Sequence, residues 1–483
     1  MNYEMMIYVI MSIAKIEGLL LFVPSLVSLV YGEYKTSMQI AIIAIVFTII
    51  GFITTIKKPR KSDLFTKDGI LIVGMAWICF SIIGSLPFII TGSIPSVIDA
   101  LFETVSGFTT TGSSILTNIE DLPQGVVFWR SFTHWIGGMG VLVFVMAITP
   151  LVGSSTMNIM QAEVPGPSVD KLVPKTKQTA KILYTIYIVM TLLEVVFLMF
   201  GNMSFFDSLM HAFSTAGTGG FSNKSNSVKY FDSAYIDGVI TVFTIFFGIN
   251  FNIFYLLLLR KFSRAFKSEE LRWYLIIIII ATTMITINTY SVYGSVLKAF
   301  RYASFQVVTV ISTTGFMTAD FNLWPSFSQA ILILLMIIGA CAGSTGGGLK
   351  VSRVLIIFRY MKSEIKKIIH PRSVNNISFE GKVIDDSTLR SISAYLILYS
   401  FIILFSFLLI SINNFDFQTN MSSVITCINN VGPGLGKICG PVGNFSSFSD
   451  FSKIILIFDM LIGRLEIFPI ILLFSPRILK RRF

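Results

Sequence analysis

Apolar runs of twenty or more residues alternate with short polar connections along this chain, and within the runs apolar and polar positions do not alternate with a period of two. Runs of that length match the ~20 residues a helix needs to cross a hydrocarbon core, and the missing period of two excludes barrel strands. Ten spans are predicted, each as a helix, at roughly 5–31, 37–56, 69–91, 128–150, 182–202, 235–259, 272–293, 326–359, 388–411 and 450–476. Between spans 3 and 4, 5 and 6, 7 and 8, and 9 and 10 lies an extra stretch too short to cross, at about 98–109, 206–217, 300–312 and 419–429. Each reads as a half-helix leading into a loop centred on one glycine, with a hydroxyl six residues earlier. The pairs are Ser106 and Gly112, Ser214 and Gly220, Thr309 and Gly315, and Thr426 and Gly432.

The central glycines lie 108, 95 and 117 residues apart, so the period is close to a quarter of the chain. An internal repeat sets the architecture before any local reading does. Re-entrant backbone is tolerated at membrane depth only where protein buries it or it lines a water-filled cavity. Four copies of helix, glycine loop and helix therefore suggest four segments around one axis, the layout of an ion pore. The predicted fold is an all-α integral membrane protein of ten transmembrane helices, with four membrane-pore-membrane repeats around a central pore and two extra N-terminal helices. The expected division is 1–62 for the extra helices, then repeats at 63–155, 156–266, 267–370 and 371–483.

Composition narrows the class. Hydrophobic residues make up 54% and charged residues 13%, against about 25% charged for a soluble domain. The mean hydropathy is +0.77. The first apolar stretch reads as a span rather than a cleavable leader, because no basic residue precedes it and no small-x-small site follows. A net charge of +11 raises nucleic acid as a partner, but 27 of the 37 basic residues fall in every second connection. That is the positive-inside pattern. The charge encodes a multi-pass protein of the cytoplasmic membrane with both termini cytoplasmic, its surroundings being membrane lipid and not nucleic acid. Lys15 and Glu17, in span 1 near its cytoplasmic end, are expected to snorkel to the interface. Cys79, Cys341, Cys427 and Cys439 lack metal-ligand spacing, and Cys427 and Cys439 flank the fourth loop, where pairing is left open.

A dehydrated cation needs a ring of oxygens in place of its water, and backbone carbonyls supply them without a net charge that would trap it. Glycine allows the backbone angles that turn successive carbonyls toward an axis. The candidate filter is Thr110, Thr111 and Gly112; Thr218, Gly219 and Gly220; Thr313, Thr314 and Gly315; and Asn430, Val431 and Gly432. One Thr-Thr-Gly is an ordinary turn, whereas four after four half-helices argue for a filter for a monovalent cation.

Two breaks interrupt the helical text. Five glycines between Gly339 and Gly348 in span 8 predict an unwound segment, since glycine costs about 1 kcal/mol relative to alanine in a helix. In span 10, Arg464 and Glu466 sit inside an apolar run, and an intramembrane charge is a functional hypothesis by default. Residues two apart do not face each other on a helix, so these two are not expected to pair. No nucleotide site is legible: Ser344-Thr345-Gly346-Gly347-Gly348-Leu349-Lys350 departs from a phosphate loop at Leu349 and lacks the following hydroxyl. No constellation of nucleophile and base suggests an enzyme.

The segments 99–112, 135–140 (Trp-Ile-Gly-Gly-Met-Gly), 211–222, 312–321, 342–350 and 463–468 (Gly-Arg-Leu-Glu-Ile-Phe) resemble the Trk/Ktr/HKT family of potassium transporters. The likeness runs from about residue 70 to the C-terminus, and the two extra N-terminal spans make the chain similar to the TrkH/TrkG branch. The resemblance implies K+ uptake through a homodimer, gated by a cytoplasmic nucleotide-binding subunit of the TrkA type. In that family a serine at the first filter glycine goes with Na+ permeation; glycine at all four places here implies K+. The fourth loop departs most, with Asn430-Val431 in place of the usual threonines and Pro433 following. Gly339, Gly343, Ser344, Thr345, Gly346, Gly347 and Gly348 match an intramembrane loop that blocks the pore below the filter, and Arg464 matches an arginine barrier in the pore. Coupling to H+ or Na+ remains an alternative. A secondary solute symporter is disfavoured, because its repeats are inverted and these keep one orientation.

Overall fold

The computed structural model describes residues 3–57, 59, 66–138, 140, 176–371 and 376–473. The chain is almost wholly helical: α1 (Tyr3–Val30), α2 (Tyr34–Thr55), α3 (Thr66–Ile90), α4 (Val97–Phe108), α5 (Gln124–Gly138), α6 (Thr176–Phe200), α7 (Phe205–Ala216), α8 (Ala234–Phe247), α9 (Phe251–Leu258), α10 (Phe262–Phe266), α11 (Glu269–Tyr293), α12 (Val296–Ile311), α13 (Ser326–Ile338) and α14 (Val351–Ile369). A short antiparallel hairpin, β1 (Ser378–Phe379) with β2 (Lys382–Val383), precedes α15 (Asp386–Ile410), α16 (Phe417–Asn429), α17 (Asp450–Arg464) and α18 (Phe468–Leu473).

Six of these helices are long and apolar enough to cross a membrane unbroken, among the described residues: α1, α2, α3, α6, α11 and α15. Three predicted spans are not single helices. Span 6 is α8 and α9, which meet at 90°. The corner is Gly248-Ile249-Asn250, where the Asn250 side chain caps the new helix by accepting the Asn252 N–H at 2.9 Å. Span 8 is α13 and α14 with the glycine break between them, and span 10 is α17 and α18, parted at Glu466 and Ile467, whose φ values of 59° and 65° are left-handed. The second half of predicted span 4 lies largely outside the described residues.

The four half-helices are α4, α7, α12 and α16. Ser96, Ser204 and Asp416 cap α4, α7 and α16 by accepting the N–H of Asp99, Asp207 and Thr419, which satisfies donors the helix leaves open. Ser295 makes no such bond to α12. Two ion pairs tie these helices to elements distant in sequence: Arg301 of α12 bonds Asp237 of α8 at 2.7 Å, and Lys453 of α17 bonds Asp99 of α4 at 2.6 Å.

Close backbone packing uses the glycines of the quoted motifs. A Cβ on Gly137 would run into the Phe108 carbonyl, one on Gly138 into Gly217, and one on Gly463 into the Ile428 carbonyl. Helices α5 and α17 thus press against the ends of α4, α7 and α16. The outer pair α1 and α2 pack together and α1 seats on α3 and α5. Glu17 is fully buried rather than snorkelling, because its position on α1 faces α3, with Gly84 close by. Lys15 turns to Thr55 Oγ1, at 3.1 Å. The thiols of Cys427 and Cys439 are both free.

Candidate ion-conduction site

All four half-helices end the same way. At each C-terminus one N–H donates back five residues to the carbonyl of the hydroxyl-bearing position: Thr111 to Ser106 (2.9 Å), Gly219 to Ser214 (2.8 Å), Thr314 to Thr309 (2.8 Å) and Val431 to Thr426 (2.9 Å). The preceding N–H donates back three residues, from Thr110, Thr218, Thr313 and Asn430. This is the Schellman arrangement, which demands a left-handed residue just past the helix. Thr110, Thr218, Thr313 and Asn430 occupy it, with φ of 55°, 53°, 64° and 53°. A non-glycine residue there costs roughly 1–2 kcal/mol, so the surroundings must over-determine it four times.

Gly112, Gly220 and Gly315 are left-handed again, at φ 79°, 77° and 84°. The fourth loop differs: Gly432 is outside the left-handed region and is followed by Pro433. Its N–H instead donates to the Thr111 carbonyl at 2.5 Å. The loops follow one another round a closed ring. A Cβ on Gly112 would strike the Gly219 oxygen, one on Gly220 the Thr314 oxygen, one on Gly315 the Gly432 oxygen, and one on Gly432 the backbone of Gly112 and Ser113. The twelve residues proposed from sequence are therefore brought together.

Side chains stiffen the ring from outside. Thr109 and Thr111 hydroxyls pair at 2.8 Å, as do Ser312 and Thr314. Asn430 Nδ2 donates to Thr111 Oγ1 and to the Met460 carbonyl, both at 2.9 Å. Glu103 of α4 accepts the Arg130 Nε–H at 2.5 Å, the Ser114 hydroxyl at 3.0 Å and the Ile115 N–H at 2.9 Å. Arg130 then donates to the Ser222 carbonyl and stacks on Phe221, so one buried ion pair clamps the first two loops. The sequence reading missed this pair. A carboxylate in a half-helix and a guanidinium in the next span were the available signal.

The glycine break lies directly against two of the half-helix ends. Gly347 N–H donates to Thr313 Oγ1 at 2.6 Å and Gly348 N–H to the Asn429 carbonyl at 3.1 Å. Gly339, Gly343 and Gly348 have φ of 72°, 70° and 76°. Ser344 bonds the Cys341 carbonyl, and Thr345 the Phe247 carbonyl at the corner of α8. Arg464 donates to the Thr345 carbonyl at 2.8 Å and the Gly137 carbonyl at 2.6 Å, bridging the break to the end of α5. Glu466 forms an ion pair with Arg353 of α14. Lys350 and Arg353 are buried here, Lys350 donating to the Gly346 carbonyl, so these two belong to the break and not to the basic connection in which the charge pattern counted them.

Apolar helices of membrane-crossing length around four loops that pack against one another, with a charged, glycine-rich segment beside them, define a helical, multi-pass membrane protein. The TrkH cation transport protein model matches residues 36–480. The potassium uptake protein TrkH of Escherichia coli is 35% identical over 481 residues, covering 96% of this chain and 98% of that one. TrkG of the same organism is 34% identical, covering 94% and 93%. The crystal structure of the potassium transporter TrkH from Vibrio parahaemolyticus superimposes with a TM-score of 0.84 at 32% identity, covering 97% and 99%. The chain belongs to the TrkH family of cation transport proteins, in the TrkH/TrkG branch. The likeness includes α2 and, in the relatives, nearly the whole chain, so it begins well before residue 70.

Proposed function

We propose that this chain takes up K+ across the inner membrane, dehydrating it at a filter formed by the carbonyls of Thr110 to Gly112, Thr218 to Gly220, Thr313 to Gly315 and Asn430 to Gly432. The observation that carries this reading is the closed ring of four loops, each following a half-helix capped by the same back-bond to the carbonyl of its hydroxyl-bearing residue. The half-helices turn their C-terminal, negative dipole ends toward the ring, which favours a cation there. The relatives' names as potassium uptake proteins of a Trk system support K+ as the cargo.

The architecture proposed is ten spans, broken or whole, divided as two extra helices (1–62) and four repeats (63–155, 156–266, 267–370 and 371–483), with both termini cytoplasmic. Residues 339–348 act as the gate below the filter. Arg464, tied to that segment, is the positive barrier that opposes cations until the segment moves. A homodimer worked by a cytoplasmic nucleotide-binding subunit of the TrkA type completes the proposal, since no nucleotide motif is legible in this chain's sequence.

The test is 86Rb+ uptake into liposomes holding the purified chain, with K+ or Na+ as competitor. Inhibition by K+ and not by Na+ supports the reading. Equal inhibition by both rules out a K+-selective filter.

A further inference from the structure

The glycine break has a second anchor on the side opposite the filter. Glu270, in the first turn of α11, is 5% exposed. Its Oε1 accepts the N–H of Ala342 at 2.8 Å and the N–H of Ser352 at 3.0 Å. Those two donors lie at either end of the segment that contains Ser344 to Lys350, so one carboxylate oxygen ties both ends of the break to α11. Glu270 is in turn held from outside. Its own N–H donates to Glu380 Oε1 at 3.1 Å, and Ser268, which caps α11, donates its hydroxyl to the same oxygen at 2.8 Å. Glu380 sits at the exposed turn between β1 and β2, with φ of 50°.

The hairpin is itself braced: Arg359 of α14 donates to the Ser378 carbonyl and pairs with Glu269 at 2.9 Å. Between the hairpin and the break lies a cavity of about 650 Å³, lined on one side by Glu270, Ala342 and Ser352 and on the other by Glu380 and Lys382. It lies among the basic residues Arg264, Lys267 and Arg272 of the connection that the charge pattern assigns to the cytoplasm.

We infer that Glu270 is a positioning residue that latches the gate closed, and that Glu380 is the cytoplasmic handle that sets the latch. This rests on the proposed reading of residues 339–348 as the gate. Hydrogen bonds to an ionised carboxylate are charge-assisted and about twice as strong as neutral ones, and an N–H left without a partner in a largely buried site is costly. Losing Glu270 removes both bonds from the arrangement seen here, which the proposed gate reading takes as the closed one, and so lowers the cost of moving the segment. Losing Glu380 leaves both bonds in place but frees the turn that carries Glu270, so its effect has the same sign and a smaller size.

The experiment measures basal 86Rb+ flux of the full chain in liposomes for the parent, Glu270→Ala, Glu270→Gln, Glu380→Ala, the Glu270→Ala/Glu380→Ala double variant and Arg464→Ala. Glu270→Ala is expected to raise flux about ten-fold, equivalent to about 1.4 kcal/mol. Glu270→Gln, which keeps an acceptor oxygen, should fall between it and the parent. Glu380→Ala should raise flux two- to three-fold, and the double variant should match Glu270→Ala alone, because both act through one relay. Preference for K+ over Na+ should stay at the parent value in all of them.

Parent flux in Glu270→Ala and Glu380→Ala beside raised flux in Arg464→Ala would overturn the latch and leave the gate standing. Parent flux in every variant, Arg464→Ala included, would overturn the gate and the latch with it. Additive single effects would overturn the relay between Glu380 and Glu270. Should Glu270→Ala fail to give monodisperse protein, Glu270→Gln and the exposed Glu380→Ala decide the question by the same criteria.

Discussion

Gly112→Ser tests the ring at its most constrained point. The residue has φ of 79°, where a side chain costs roughly 1–2 kcal/mol. A Cβ built there overlaps the Gly219 carbonyl oxygen of the next loop, well inside the ~3.5 Å at which carbon atoms normally sit from their neighbours. Both penalties are relieved together if the first loop rotates and the Gly219 carbonyl leaves the axis. If the ring is the filter proposed above, that movement removes one of the oxygens that would favour the larger ion. If the relieved strain of about 1.4 kcal/mol is taken out of K+ over Na+ discrimination, the preference falls about ten-fold. The assay is 86Rb+ uptake with graded K+ or Na+, read as the ratio of half-inhibitory concentrations. Gly92→Ser is the control, since Gly92 has φ of 76° but nothing within 4 Å of the added atom. It carries the backbone strain without the collision. An unchanged ratio in Gly112→Ser, with uptake intact, would refute the assignment of this ring as the filter.

Three further outcomes follow from named contacts. Arg464→Ala removes the bridge between Thr345 and Gly137 and a positive charge from the path, so basal 86Rb+ flux should rise several-fold; flux equal to the parent would return Arg464 to a purely structural role. Asn430→Ala deletes the bonds to Thr111 and Met460 that tie the fourth loop to the first, and should lower K+ over Na+ preference several-fold in the competition assay. Glu103→Ala leaves Arg130 buried without its partner, which should cost about 3–5 kcal/mol and appear as a clear drop in the thermal stability of the detergent-solubilised protein.

Much of the fold was legible because a bilayer imposes long apolar runs and alternating basic connections. The half-helices were placed within a few residues, at 98–109 against Val97–Phe108 and at 419–429 against Phe417–Asn429. Helix continuity was not legible. Gly248-Ile249-Asn250 lies in a run apolar enough to be one straight span, yet the chain turns through 90° there. The turn exists because Phe251 N–H reaches the Gly343 carbonyl and the Gly248 carbonyl accepts from Cys341, partners about ninety residues away. Lys350 and Arg353 were misassigned for a related reason: a charge count along the chain does not distinguish a basic connection from a buried cation whose partner is 113 residues distant. Nothing in the local sequence distinguishes Glu270, and only its hydrogen bonds to Ala342 and Ser352 bring it to the break.

By itself the sequence determined the membrane environment, the helical class and the four short helices that lead into glycine loops, because hydrophobic length, charge bias and the glycine at a fixed offset are local, one-dimensional properties. The tertiary structure alone decided that the four loops close into one ring, that the break in span 8 packs against the third and fourth of them, and which carboxylate meets which cation. Those facts depend on contacts between segments a hundred or more residues apart, formed where apolar faces and buried hydrogen bonds leave a polar group one partner within reach.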